Sequence, residues 1–188
     1  MDAYGAGSPG SGLPPVVVVA GVSGTGKTRI GSLLAQRLGW RFDDGDDLHP
    51  AANIAKMRAG FPLTDADRGP WLAVVAARID EHIAAGEPAV VACSALKRSY
   101  RDFLRQGRPS VRVVFLRATP ATLADRLASR PGHFFPPQLL RSQLADEEPP
   151  QEEEGCLVVD VEATPDQVTD GIIRQLGLTA PSHRADTP

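Results

Sequence analysis

Short apolar runs alternate along the chain with longer segments in which apolar residues recur every three or four positions. Four runs are continuous and rich in β-branched residues, as buried strands require: PVVVVAG, AVVACSA, VRVVFLRA and CLVVDV. A fifth, weaker strand is predicted in WRFDD, residues 40–44. This alternation favours an α/β fold, a five-stranded parallel sheet with helices on both faces and ligands at the carboxyl ends of its strands.

Local signals place the ends of three predicted helices. Residues 28–38 carry apolar side chains on one helical face, and Gly39 suits the C-terminal end of that helix. Thr119 and Thr164 each precede a proline, which is the pattern of an N-cap followed by proline in the first turn. We therefore expect two further helices to begin directly after these threonines.

Two segments interrupt the alternation, residues 47–78 and residues 131–150. Insertions at the carboxyl edge of such a sheet build substrate sites and lids, so the first is expected to bind substrate and the second to form a lid. Residues 1–14 are rich in Gly, Ser and Pro, and residues 179–188 are polar without periodicity. Both are expected to be flexible tails around one domain, residues 15–178.

Length and composition exclude several classes of protein. A chain of 188 residues suits one domain, and 42% hydrophobic content with a net charge of −3 indicates neither disorder nor a nucleic-acid-binding face. The apolar runs are too short for a membrane helix and no signal peptide precedes them, so we expect a cytoplasmic protein. Cys93 and Cys156 lie in strand-like runs and are expected to be buried free thiols.

The segment GVSGTGKT, residues 21–28, matches the phosphate-binding pattern G-x-x-x-x-G-K-[ST] between a predicted strand and a predicted helix. Its glycines allow backbone N–H groups to converge on phosphate oxygens at a helix N-terminus. Lys27 is expected to reach the β and γ phosphates, and the Thr28 hydroxyl to bind Mg²⁺. All eight residues are expected to bind the nucleotide: Gly21, Val22, Ser23, Gly24, Thr25, Gly26, Lys27 and Thr28.

The turn FDDGDDLHP concentrates four carboxylates within five positions. Residues two apart in an extended segment point to the same side, so Asp44 and Asp46 would both face the phosphate loop. We assign Asp44 to the metal and Asp46 to the proton of an acceptor hydroxyl, because phosphoryl transfer to an alcohol needs a nearby base. Asp43 and Asp47 are expected to be solvated.

Six blocks in series resemble the gluconate kinases: GVSGTGKT, DGDDLHP, N-x-x-K-M from Asn53, PLTDADRGPW, CSALKRSYRD and GHFF. The resemblance spans roughly residues 16–176. It implies an ATP- and Mg²⁺-dependent kinase that converts D-gluconate to 6-phosphogluconate. It also implies a nucleoside-monophosphate-kinase-like fold with a lid, and commonly a homodimer.

The matching segments supply polar groups for a substrate with one carboxylate and several hydroxyls. Arg68 is the preferred anchor for the carboxylate, since its planar fork can bind both oxygens. Met57 and Trp71 are expected in the pocket wall or the core. The candidate substrate contacts, for most of which a solvated surface position is the competing interpretation, are Asp46, His49, Asn53, Lys56, Arg68, Ser94, Lys97, Arg101 and His133.

The stretch RLASRPGHFFPPQLLRSQ resembles the mobile lid of this kinase group. Arg126 and Arg130 are four apart on a predicted helix, so they share a face, and one or both are expected to stabilise the transferred phosphoryl group. His133 is expected to close over the site and exclude water. After the lid, Asp146 and Glu147 stand where the family tends to have Thr and Leu, which leaves the packing of this acidic segment open.

Two other functions compete with this interpretation. A kinase of another small anionic metabolite, such as shikimate, would share the phosphate loop, the Asp-x-Asp turn and the lid arginines. A nucleotide-dependent switch or binding module would use the loop without metabolic turnover, although no Asn-Lys-x-Asp segment for guanine is present. A kinase of nucleic acids is disfavoured by the acidic balance of the chain.

Overall fold

A computed structural model of the chain describes residues 14–128 and 137–179. Its strands are β1 (Val16–Ala20), β2 (Arg41–Asp44), β3 (Ala89–Ala92), β4 (Val111–Arg117) and β5 (Leu157–Asp160). Its α-helices are α1 (Lys27–Leu38), α2 (Ala51–Arg58), α3 (Asp65–Ala85), α4 (Arg98–Arg105), α5 (Pro120–Ala128), α6 (Pro137–Asp146) and α7 (Pro165–Leu176). Short 3₁₀ turns cover Gly45–Leu48 and Glu152–Glu154.

The five strands form one parallel sheet in the order β2-β3-β1-β4-β5. Each strand lies within its predicted apolar run, so the α/β prediction is confirmed. The chain leaves β1 at the centre of the sheet, where the connections to either side diverge. A crevice forms at such a point, at the carboxyl ends of the strands.

The sheet is covered on both faces, which explains why its strands are continuous apolar runs. Val16 and Val18 of β1 pack into a cluster with residues of α3 and α4. Val17 and Val19 point the other way, into a cluster with residues of α1 and α7. All four side chains are completely buried, as expected for a central parallel strand.

The predicted helix signals are found at the expected ends. Gly39 closes α1 in the left-handed region, with φ of 67°. The Thr164 side chain accepts a hydrogen bond from the backbone N–H of Gln167 in a capping box on α7. Thr119 Oγ1 accepts from the backbone N–H of Thr122 at 3.2 Å, which caps α5.

The two predicted insertions differ in how much the structure describes. Residues 47–78 form a 3₁₀ turn, α2 and the first part of α3. Within the predicted lid, residues 137–146 form α6, whereas residues 131–136 lie outside the described residues, as do most of both predicted tails. Cys93 and Cys156 are buried and free, as predicted.

The part of the chain that the structure describes contains no helix with both the length and the apolar character needed to cross a bilayer.

Candidate active site

The phosphate loop connects the central strand β1 to the N-terminus of α1 through tight backbone turns. Gly21 has φ of 133°, and a Cβ atom there would lie 2.6 Å from the carbonyl oxygen of Leu116. Gly26, with φ of 91°, is the N-cap of α1. These two positions need glycine, because a side chain would be strained at both and would collide with β4 at the first. The tight turns therefore place the backbone of the loop directly at the N-terminus of α1. A phosphate-binding loop requires this position.

Thr28 and Asp44 meet across the mouth of this loop. Thr28 Oγ1 donates a hydrogen bond to Asp44 Oδ2 at 2.7 Å. Hydroxyl and carboxylate oxygens are the ligands that Mg²⁺ prefers. Mg²⁺ is commonly bound through one or two protein groups and takes its other ligands from phosphate and water. Thr28 and Asp44 are therefore the pair of side chains that would hold the ion.

The observed position of Asp46 differs from the position predicted from the sequence. We expected Asp44 and Asp46 to share a side of an extended strand, but β2 ends at Asp44 and Asp46 lies in the following 3₁₀ turn. Asp44 is the N-cap of that turn, and its Oδ1 accepts the backbone N–H of Asp46 at 3.0 Å. The turn, rather than strand alternation, brings both carboxylates to the same cleft.

Buried contacts fix the turn that carries Asp46. A Cβ atom at Gly45 would lie 2.5 Å from the carbonyl oxygen of Ala92, so the turn packs directly against the end of β3. Trp71 Nε1 donates to the Gly45 carbonyl at 2.7 Å, and the His49 ring stacks on Trp71 with 4.2 Å between centroids. Burial lowers the pKa of His49 despite the nearby carboxylate of Asp46, so its ring is neutral at pH 7.

Two cavities meet at the phosphate loop and the Asp46 turn. The larger, about 730 Å³, is lined by residues of the phosphate loop, Thr28 among them, and by Asp44 and Asp46. The smaller encloses about 140 Å³ and is lined by both polar and apolar side chains. Ser23, Lys27 and Asp46 line both cavities. A phosphate held by the loop and a hydroxyl held in the smaller cavity would therefore approach each other between an ammonium and a carboxylate, as phosphoryl transfer requires.

Comparison with known proteins identifies the family. A family model described as shikimate kinase matches residues 23–177. The gluconokinase of Gluconobacter oxydans (strain 621H) is 51% identical over 161 residues, which cover 86% of this chain and 90% of that protein.

The chain belongs to the gluconokinase family.

Two solved structures of similar sequence share the fold across most of their length. A gluconokinase from Sinorhizobium meliloti 1021 is 45% identical with a TM-score of 0.79, and the match covers 87% of this chain and 92% of that one. An unliganded sugar kinase from Janibacter sp. HTCC2649 is 42% identical with a TM-score of 0.83, over 88% and 95% of the two chains. The expected P-loop kinase fold is confirmed.

In this gluconokinase-family chain, four predicted acceptor contacts line the smaller cavity: Asp46, His49, Arg68 and Ser94. Among these four residues, Arg68 has the features of an anion-binding group. It is charged and only 5% exposed. Its Nε atom is buried without a hydrogen-bond partner among the described residues, and its Nη2 lies 4.0 Å from Asp146 Oδ2. A buried guanidinium with an unsatisfied donor at a cavity is a site for an anion.

Asn53 and Lys56 are not among the residues lining this cavity, contrary to the expectation of direct contact. Asn53 Nδ2 donates to the backbone oxygen of Asp67 at 2.9 Å, and Lys56 Nζ lies 2.5 Å from Asp67 Oδ2. Hydrogen bonds from Lys56 and then Thr64 hold the pKa of the Asp67 carboxyl far below its usual range. The two residues therefore anchor the start of α3, one position before Arg68.

Lys97 and Arg101 are likewise absent from the cavity wall. Lys97 Nζ contacts both carboxylate oxygens of Asp65, at 2.7 and 2.9 Å. Arg101 is completely buried and binds Glu154 through Nε at 2.7 Å and Nη2 at 3.0 Å. Its Nη1 donates to the Leu96 carbonyl at 2.8 Å. The expectation that Arg101 contacts substrate is wrong, because every face of its guanidinium is enclosed by the protein.

The acidic segment after α6 packs through such pairs, which answers the question that its sequence left open. Glu148 accepts the backbone N–H of Arg98 at the start of α4, at 2.7 Å. Glu153 pairs with the Arg98 guanidinium at 3.0 Å, and Glu154 with Arg101. These carboxylates fasten the segment to α4.

Replacing Glu154 by glutamine is expected to destabilise the protein by about 3–5 kcal/mol at pH 7, because the Arg101 charge would remain buried without its partner. Burial opposes ionisation of Glu154, but hydrogen bonds from Arg101 and the Gln151 N–H outweigh it and place the carboxyl pKa below its ordinary value. The contribution is therefore complete above the unfolded-state pKa, about 4.3, and is lost as the pH falls through the folded-state pKa.

Urea unfolding of wild type and Glu154→Gln at pH 7 and at lower pH measures this contribution. The difference in unfolding free energy should narrow below pH ~4. Glu153→Gln, which removes an exposed carboxylate of the same segment, is the control and should have a much smaller effect. Equal effects of the two variants at pH 7 would contradict the buried-pair interpretation.

The two outer carboxylates of the acidic turn behave differently. Asp47 is exposed at the rim of the larger cavity, as predicted. Asp43 is not simply solvated, because its Oδ2 lies 2.5 Å from His82 Nε2 and its Oδ1 lies 4.0 Å from Arg78 Nε. It fastens β2 to α3.

The lid residues are only partly described. Arg126 lines the larger cavity, and its Nη2 donates to the Val161 carbonyl at 2.6 Å. Arg130 and His133 lie outside the described residues.

Sequence reasoning missed two contributions to the site. Ser142 and Gln143 of α6 line the smaller cavity, and Gln143 Oε1 accepts the backbone N–H of Ser23 in the phosphate loop at 2.7 Å. A slot of about 280 Å³ beside the loop is lined by Ile30, Arg126 and the β5–α7 connection. The only sequence signal for the first was that Ser142 and Gln143 end the stretch that resembles a lid, and the second had none.

Proposed function

We propose that this protein transfers the γ-phosphoryl group of ATP to the 6-hydroxyl of D-gluconate. The observation that carries the proposal is the meeting of two cavities at Lys27 and Asp46. Membership of the gluconokinase family supports the same acceptor.

On the nucleotide side, the loop of residues 21–28 would hold the phosphates, and Lys27 would contact the β and γ phosphates. Thr28 and Asp44 would hold Mg²⁺, which neutralises phosphate charge when bound. The slot beside the loop is apolar on one side, with Ile30, Val161 and Pro165 in its wall, and suits the adenine ring.

On the acceptor side, Arg68 would bind the gluconate carboxylate, since it supplies a buried and incompletely satisfied cation. Ser94 and the neutral His49 ring would contact hydroxyls. Asp46 would accept the proton of the attacking hydroxyl, because it lies where the two cavities join. Met57, Leu63 and Leu139 provide apolar wall, which restricts water as a competing acceptor.

The remaining parts of the proposal concern the arginines and the histidine expected to act with the lid, the oligomeric state and the location in the cell. Arg126 and Arg130 would stabilise charge on the transferred group, and His133 would close over the acceptor. Association as a homodimer and a cytoplasmic location complete the proposal. Light scattering on the purified protein measures its oligomeric state. Fractionation of cells determines its location.

An ADP-release assay with MgATP tests the function against gluconate, shikimate, glucose, glycerate and no acceptor. We expect turnover with gluconate alone. Turnover with shikimate, the acceptor suggested by the description of the matching family model, would keep the kinase and replace the acceptor. ADP release that no acceptor stimulates would favour the switch or binding module.

Replacing Arg68 by alanine is expected to raise the KM for gluconate at least ~10-fold, since a charge-assisted contact to the carboxylate would be lost. The KM for ATP should change much less. Steady-state kinetics with each substrate varied in turn measures both constants. Arg58→Ala, an exposed arginine of α2, is the matched control, and equal changes in the two KM values for Arg68→Ala would place the carboxylate elsewhere.

A further inference from the structure

Helix α6 places a carboxylate of the protein beside the proposed acceptor anchor. Asp146 Oδ2 lies 4.0 Å from Arg68 Nη2, and the side chains are 31% and 6% exposed. The distance is that of an ion pair without a close hydrogen bond. Arg68 therefore retains donor capacity while it interacts with Asp146.

The charged groups of Arg68 and Asp146 differ in their access to water. Arg68 is enclosed by the protein and lines the smaller cavity, so its guanidinium has little access to water. Asp146 is the last residue of α6 and is partly exposed, so water can solvate it when it separates from Arg68. Asp146 is thus the partner that can be displaced at low cost.

The same helix makes a second contact of this type. Three residues before Asp146, Gln143 Oε1 accepts the Ser23 N–H at 2.7 Å, and this N–H belongs to the phosphate loop. Residues three apart share a helical face. This face of α6 therefore directs side-chain oxygen atoms at one donor on each side of the proposed reaction.

We infer that Asp146 is an internal competitor of the acceptor's carboxylate for Arg68, and that it sets the affinity for the acceptor. The inference rests on the proposed function, in which Arg68 binds that carboxylate. An acidic acceptor must displace Asp146 from Arg68 before its own carboxylate pairs with the guanidinium. Asp146 thereby weakens binding of the acid while it compensates the buried charge of Arg68 in the free enzyme.

The experiment compares wild type with Asp146→Asn and the smaller Asp146→Ser in steady-state kinetics. We expect both variants to lower the KM for gluconate by roughly fivefold, which corresponds to about 1 kcal/mol. The KM for ATP should stay within about twofold, because Asp146 is not among the residues lining the nucleotide cavity. Thermal melts identify a variant that is not folded, and the other variant then decides.

Two controls separate competition from other effects of charge. Glu152→Gln removes the same charge from an exposed position outside the cavity and should leave both KM values unchanged. In an Arg68→Ala background, Asp146→Asn should no longer improve kcat/KM for gluconate, because the shared partner is absent. Improvement that persists in this background would overturn the inference.

The outcomes distinguish this inference from the proposed function. An unchanged or raised KM in both Asp146 variants would overturn competition, and a raised value would mean that Asp146 orients Arg68 for the acceptor. Failure of the wild type to phosphorylate gluconate would instead reject the proposed acceptor. If another acid from the panel is phosphorylated, the same ratios are measured with that acid.

Discussion

Replacing Asp46 by asparagine is expected to lower kcat with gluconate at least ~100-fold, while the protein still folds and binds MgATP. The amide has the size of the carboxylate but cannot accept a proton from the attacking hydroxyl. The backbone of the turn should be preserved, since Gly45 is held by Trp71 and by its contact with Ala92. Rapid-quench measurement of a single turnover separates this chemical step from product release.

Asp47→Asn is the matched control for Asp46→Asn. It removes the same charge one residue later, from an exposed side chain at the rim of the larger cavity. Its single-turnover rate should stay within about threefold of wild type, since Asp47 is not among the residues lining the smaller cavity, where Asp46 would meet the acceptor hydroxyl. A normal rate for Asp46→Asn would show that another group accepts the proton.

Replacing Lys27 by alanine is expected to lower kcat/KM on the order of 10³-fold or more, because the transferred phosphate would lose a cation at the junction of the two cavities. Lys27 Nζ also donates to the Val22 carbonyl at 3.2 Å, so the substitution removes a contact within the loop. Thermal melts with and without MgATP show whether the variant is folded and whether nucleotide still stabilises it.

Lys97→Ala is the control for this variant, since it removes a lysine whose ammonium is occupied by Asp65 outside the cavity wall. We expect its kcat/KM to remain within about fivefold of wild type. Near-normal turnover in Lys27→Ala would disprove the role assigned to the phosphate loop. A large loss in Lys97→Ala would return Lys97 to the substrate contacts.

The fold and the phosphate loop were predictable for a common reason. A central parallel strand is buried on both faces, so the sequence of β1 is continuously apolar, four valines followed by Ala20. The loop acts mainly through its backbone, so its function depends on where glycine is required, as at Gly21. Both features are local in sequence and can be recognised without knowing any long-range contact.

The state of individual charges was not predictable, because it depends on partners far away in the chain. Arg101 and its partner Glu154 are 53 residues apart, and Asp43 and His82 are 39 apart. The sequence alone does not distinguish Arg101 from Arg68 as a substrate contact. In the structure, Arg101 is buried in an ion pair with Glu154, whereas Arg68 lines the smaller cavity. The role of α6 was missed for the same reason, since Gln143 and Ser23 are 120 residues apart.

The end of β2 makes the position of Asp46 independent of the residues that select the acceptor. Adjacent residues of this edge strand are tied to opposite faces of the sheet, Asp43 to His82 of α3 and Asp44 to Thr28 of α1. The strand end that leads to Asp46 is thus held by two anchors that are independent of the acceptor. Much of the remaining wall of the smaller cavity comes from α2, the segment before α3, the start of α3, and α6. Substitutions there can select a different acid while the distance between the phosphate loop and Asp46 is preserved.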